Sequence, residues 1–228
     1  MANRKTWLQQ KLFGQGPVIA FLWGMLLITA ITAVFSGRLE LGFVAVATLA
    51  LAMAPALLAS KLEIVLPVPF VAAITLFVFS SLFLGEAFDF YNRFWWWDKV
   101  LHGVSAIGFG MIGFLFAFML FEGDRYAAPP AALSLIAFCV AITVGSLWEV
   151  FEYLMDTFFG MNMQKTGLDD TMEDIMVNAV GATIGSLSGY YYLKGHRFGL
   201  TQLIGEFVRL NRQLYRKSKE QLRKINKD

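Results

Sequence analysis

Three short stretches of this chain carry residue types able to bind a cation or hold a proton. Asp98 and His102 stand four apart, Glu149, Glu152 and Asp156 follow an i, i+3, i+7 spacing, and Asp170, Asp174 and Asn178 follow i, i+4, i+8. On helices, each set lies along one face. An imidazole beside carboxylates suits zinc, manganese or iron, whereas carboxylates alone suit magnesium or calcium. The spacing admits a divalent metal ion as cofactor without choosing its identity. Asp98 and Asp170 also stand where helices should begin, so each has an ordinary reading as a helix cap. The stripe of Glu149, Glu152 and Asp156 stands where a helix should end. Three like charges near a negative dipole end call for a compensator: a cation, shared protons, or a base such as Lys99, Lys165 or His102.

These residues must be positioned by helices that lie mostly in lipid. Of the 228 residues, 57% are hydrophobic and only 16% charged, and mean hydropathy is +0.57. A soluble domain carries nearer a quarter charged residues. Crossing a bilayer takes about 20 apolar residues. Six stretches meet or approach that length: 17–36, 41–60, 64–84, 100–121, 131–155 and 171–193. Pro67 and Pro69 fall in the first turn of the third, where a missing N–H costs least. The first stretch is too long for a signal-peptide core and reads as a retained anchor. The expected fold is therefore all-α: a six-helix transmembrane domain over 1–193, then a basic tail over 194–228. Alternation of six spans brings the three polar stretches to one membrane face. Charged side chains in such helices face one another or water, because facing lipid is costly. Gly181 and Gly185, a small-xxx-small pair, would let a neighbouring helix come close.

Charge gives the direction. The tail has ten Lys/Arg against three acids, and residues 149–174 have seven acids against one base, Lys165. With both termini in the cytoplasm, 15 Lys/Arg fall inside (Arg4, Lys5, Lys11, Lys61, Arg125 and the ten of the tail) and four outside. The positive-inside rule then puts the acidic site on the extracytoplasmic face. Trp95, Trp96 and Trp97 would anchor the outer interface and Tyr190, Tyr191 and Tyr192 the inner one. In the tail, Leu203, Phe207, Leu210 and Leu214 recur at helical spacing between bases. That pattern suits an amphipathic helix on an anionic leaflet, with Arg209, Arg212, Arg216, Lys217, Arg223 and Lys224 meeting lipid headgroups. The partner expected is the bilayer, with anionic lipid at the tail and no nucleic acid.

Several chemistries are absent from the sequence. It has no phosphate-binding Gly-rich loop, no HExxH, no CxxC and no Gly-x-Ser-x-Gly. Cys139, the single cysteine, reads as a small buried residue. His196 lies in the basic juxtamembrane stretch and reads as solvated.

The motifs DKVLHG (98–103), WEVFEYLMDTFFG (148–160) and DDTMEDIMVNAVGA (169–182) together resemble bacterial inner-membrane proteins of the YjdF-like type, and more loosely VanZ-like proteins. The resemblance covers roughly residues 98–185. It implies a multi-pass protein of the bacterial inner membrane, with Asp98, His102, Glu149, Glu152, Asp174 and Asn178 at the matching positions. VanZ-like proteins are associated with glycopeptide resistance at the cell envelope. This chain departs from their pattern: Thr166, Gly167 and Leu168 stand where they carry a basic residue.

Three functions are open to such a chain. It could be an envelope protein whose acidic pocket binds a cation or a polar lipid headgroup, including a metal-dependent membrane enzyme. A small ion- or proton-coupled transporter is the second, disfavoured by the lack of charge at mid-membrane. The third is a non-catalytic scaffold, with the acids as structural glue.

Overall fold

The computed structural model describes residues 16–121 and 128–211. Among them the regular elements are all helical: α1 (Pro17–Phe35), α2 (Leu39–Lys61), α3 (Val68–Val78) continuing into a π-helical segment (Phe79–Ala87), α4 (Phe90–Arg93), α5 (Trp97–Phe121), α6 (Pro130–Phe159), α7 (Leu168–Leu193) and α8 (Leu200–Leu210). The chain is an all-α, multi-pass membrane protein. Large apolar side chains such as Phe21, Phe43, Phe116 and Leu135 are exposed. In water that surface would be a liability, but against acyl chains it is the expected state.

The helices fall into two compact units divided between Trp95 and Trp96. In the first, α1 and α2 run antiparallel and α3 with its π-helical continuation packs beside them. Leu22, Leu26 and Ala30 of α1 meet Ala45 of α2 and Phe79 and Phe83 of the π segment. Ile19 and Trp23 meet Ala52 and Val71 at the other end. Pro67 is the N-cap of α3 and Pro69 lies in its first turn, as the sequence suggested. The third span expected at 64–84 is thus part α-helix and part π-helix. Tyr91 packs against Gly85, where a Cβ would collide with its ring, and its hydroxyl lies 3.0 Å from Ser81 Oγ.

The second unit holds every residue of the acidic and histidine stripes. Its helices α5 and α7 run parallel, and α6 runs antiparallel to both. Among the described residues, five helices are long and apolar enough to cross a bilayer: α1, α2, α3 with its π segment, α5 and α6. The sixth expected crossing, 171–193, is α7, whose 26 residues suffice in length but whose acids lower its hydropathy. Its packing accounts for that polarity. Ser134 of α6 donates to the Ser186 carbonyl of α7 near one end, and Gly145 of α6 abuts Asn178 of α7 farther along. Helix α7 thus runs beside α6 for most of its length, with its polar stripe turned inward.

Glycine sets the approach of α5 to α7. A Cβ on Gly181 would run into the Gly103 carbonyl and stand 2.9 Å from Ala106 Cβ. One on Gly110 would stand 3.0 Å from both Gly185 Cα and Ser186 N. These are backbone-to-backbone contacts, the geometry that small-xxx-small spacing permits. Phe114 then lies over Gly189 and meets Tyr192 edge-on.

Other expectations shift. Cys139 is exposed on α6, so its small-buried-residue reading fails. Asp98 and Asp170 lie inside the first turns of α5 and α7; Gly167 is the N-cap of α7, which has no side-chain cap. Trp95 is 81% exposed and Trp96 40%. Of the tail, α8 is described, including Arg209 in its last turn. Arg212, Arg216, Lys217, Arg223, Lys224 and Leu214 lie outside the described residues.

Candidate functional site

The site lies where the first turns of α5 and α7 meet the later part of α6. At 1.5 Å per residue, His102 sits about 8 Å along α5 and Asp174 about 9 Å along α7. Glu149 is about 15 Å from the C-terminal end of α6. A helix dipole acts mainly within its terminal turn. The repulsion expected at the end of α6 therefore falls on Asp156 and hardly on Glu149. Desolvation and mutual repulsion are what Glu149 and Glu152 must overcome.

His102 is the hub. Its Nε2 lies 3.6 Å from Asp98 Oδ1 and 4.0 Å from Asp174 Oδ2. Its Nδ1 lies 3.6 Å from Glu149 Oε1 and 3.3 Å from Asn178 Nδ2. Glu152 completes the cluster and accepts a 2.9 Å hydrogen bond from Trp148 Nε1. His102, Glu149, Glu152, Asp174 and Asn178 are all buried, and Asp98 is half-buried.

The pattern of unmade hydrogen bonds marks this place. Both oxygens of Glu149, both of Asp174, Oε2 of Glu152 and Oδ1 of Asn178 are buried without a hydrogen bond of ordinary geometry. The Thr171 hydroxyl, which accepts from Gln164 Nε2 at 2.6 Å, lies near Glu149 and keeps its O–H to donate to that carboxylate. Buried polar groups almost always have partners, and leaving one bare costs about 1–3 kcal/mol, more when charged. Among the described residues, two sets of three side chains bring ligand atoms within 4.8 Å of one another: Asp98, His102 and Asp174, and His102, Glu149 and Glu152. Both share the single imidazole.

Two expected members are employed elsewhere. Asp156 accepts from the backbone N–H groups of Met163, at 2.6 Å, and Gln164, at 2.8 Å. It pins the loop between α6 and α7 and is in neither set. Asp170 faces Lys99 Nζ at 3.9 Å, and Lys99 also pairs with Glu173 Oε2 at 2.7 Å. One oxygen of Asp170, Oδ2, is buried without a hydrogen bond. The base that compensates this edge of the cluster is Lys99, one of those the sequence offered.

Gly145 is a residue that the sequence reading did not single out. A Cβ there would stand 2.7 Å from Asn178 Nδ2 and 3.0 Å from its Cγ. Its bare backbone makes the slot in which the Asn178 amide lies. A signal was present, since Gly145 precedes Glu149 by four and continues the Glu149–Glu152 stripe.

Comparisons with known proteins give a family and little chemistry. A profile of the family described as "Predicted membrane protein (DUF2238)" matches residues 18–195. An uncharacterized protein of Thermotoga maritima is 32% identical over 104 residues, which cover 46% of this chain and 53% of that protein. The match thus spans about half the relative's length. No solved structure matches.

Proposed function

The chain belongs to this family of predicted membrane proteins, and we propose that it is a bacterial inner-membrane protein that binds a divalent cation at one membrane face. The observation that carries this reading is Asp174, which is 0% exposed and has neither carboxylate oxygen hydrogen-bonded. An ionised carboxylate in that position is tolerable only beside a compensating positive charge. The imidazole and the neighbouring carboxylates supply the other donors such a cation needs. Three protein donors leave coordination positions for water or a ligand oxygen, an arrangement shared by catalytic metal sites and by binding proteins. The YjdF-like resemblance fits this family, whereas the looser VanZ-like one rests on short motifs alone. The 15-to-four distribution of Lys/Arg supports a direction in which both termini are cytoplasmic and the site faces the opposite side. The bases of the tail support contact with anionic lipid.

The test is elemental analysis of the purified chain, with thermal midpoints before and after chelation and for Asp174→Asn. A bound cation adds to folding free energy. The reading expects close to one ion per chain, a midpoint that falls on chelation, and an Asp174→Asn variant that loses both ion and stability. If the acids merely share protons, Asp174→Asn removes a repulsion and leaves stability equal or higher. A metal-free parent with a stabilised Asp174→Asn variant would sink the proposal.

A further inference from the structure

The geometry assigns the ion to one side of His102: we infer that Nε2, Asp98 and Asp174 hold a divalent transition ion, and that Asn178 positions the imidazole from the Nδ1 side. This rests on the cation-binding reading above and adds which donors bind, which class of ion they take, and one residue that acts through another.

A neutral imidazole has one lone pair and one N–H, so it ligates through a single nitrogen while the other donates. Of the two sets that share His102, only one can use it as a ligand. The two sides differ in what they offer. On the Nε2 side stand carboxylate oxygens, Asp98 Oδ1 at 3.6 Å and Asp174 Oδ2 at 4.0 Å. Those separations exceed hydrogen-bond length. They lie near the spacing of two ligands on one ion, since two bonds of about 2.1 Å at a tetrahedral angle place their ends about 3.4 Å apart. To reach that spacing the imidazole would close on Asp98 by about 0.2 Å and on Asp174 by about 0.6 Å.

On the Nδ1 side a single ligand-set carboxylate comes near, Glu149 Oε1 at 3.6 Å, and a carboxamide stands closer to the nitrogen than it does. Asn178 presents Nδ2 to Nδ1 at 3.3 Å, while its own Oδ1 is buried without a partner. The oxygen and nitrogen of an amide are exchanged by a half-turn that moves no other atom, and the hydrogen-bond network decides between them. With Oδ1 toward the ring, the orphaned oxygen accepts Nδ1–H. The tautomer is then fixed and the Nε2 lone pair points at Asp98 and Asp174. A metal-bound histidine usually donates its second N–H to an oxygen in this way. Asn178 is held to the task by the slot over Gly145, which a Cβ would fill. On the same side, one oxygen of Glu152, Oε1, is already engaged by Trp148. One imidazole and two carboxylates favour zinc, manganese or iron over calcium or magnesium.

The experiment titrates the purified full-length chain with cobalt(II), reading stoichiometry, affinity and the visible ligand-field spectrum. The parent is expected to bind one equivalent, with magnesium unable to displace it. Asp98→Asn and Asp174→Asn should each weaken binding at least a hundredfold, and Glu149→Gln by no more than tenfold. Asn178→Leu should weaken binding 10–100-fold and change the spectrum. Asn178→Asp, which keeps an acceptor facing Nδ1, should restore both. Having two Asp variants guards against one that does not fold. The assignment is overturned if Glu149→Gln loses the ion as fully as the Asp variants, if two equivalents bind, or if Asn178→Leu binds like the parent. A parent that binds magnesium or calcium but no cobalt, zinc or manganese overturns this assignment alone; a parent that binds no divalent cation overturns the cation-binding reading and this assignment with it.

Discussion

Replacing Gly181 by alanine tests how the fold makes the site, because one methyl group acts on both. A Cβ at 181 would stand 2.9 Å from Ala106 Cβ, where ordinary contact begins at 3.4 Å, and it would also meet the Gly103 carbonyl. The helices α5 and α7 must therefore separate by at least 3.4 − 2.9 = 0.5 Å, and further to clear the carbonyl. The obstacles include backbone, so no rotamer change relieves them. Overpacking of this kind typically costs about 1–3 kcal/mol. The same displacement acts on the site, since Gly103 follows His102 and Gly181 lies three residues after Asn178. It would stretch the 3.3 Å approach of Asn178 to His102 toward 3.8 Å and the 4.0 Å approach of Asp174 toward 4.5 Å. Gly181→Ala should thus lower the thermal midpoint in detergent by several degrees and reduce bound metal at the same time. Gly108→Ala is the control: nothing lies within 4 Å of a Cβ there. On the same helix α5, it should be neutral or better, since alanine exceeds glycine in helix propensity by up to about 1 kcal/mol. If Gly181→Ala melts with the parent, α5 and α7 are not in the close contact described and the reasoning fails.

Other outcomes follow from the same geometry. Asp156→Ala should cost about 2 kcal/mol in thermal or denaturant unfolding, through loss of two charge-assisted bonds to the loop. Bound metal should be unchanged; loss of the ion would return Asp156 to the binding set. Single cysteines placed in the 160–168 loop should react with a membrane-impermeant thiol reagent on intact cells, while those in the tail should not. The reverse pattern refutes the orientation. Changing the Lys/Arg of the 209–227 region to Gln should leave insertion intact and weaken binding of a tail peptide to anionic vesicles by about 1 kcal/mol per cation at low salt. Equal binding of the parent peptide to neutral and anionic vesicles would contradict the electrostatic reading.

How much of this was legible in the sequence depends on the range of the physics involved. Hydropathy and helical periodicity are local properties of the chain, so the all-helical membrane fold could be read directly. So could the grouping of Asp98 with His102, of Glu149 with Glu152, and of Asp174 with Asn178, because residues three or four apart must share a helix face. Chain parity went one step further and brought the three polar segments to one end of their helices. The approach distances of the helices are a different matter. They depend on which glycine opposes which backbone, and pairings such as Gly103 with Gly181 or Gly145 with Asn178 join residues far apart in the chain. Only the tertiary structure separates Asp156, held by two loop amides, from Asp174, whose oxygens are left bare. It alone shows Asp170 and Glu173 sharing Lys99. It also decides that one imidazole stands between two sets of acids, because a ring nitrogen's surroundings are set by three helices packing at once. Sequence determined which residues share a helix face; packing determined which of them meet.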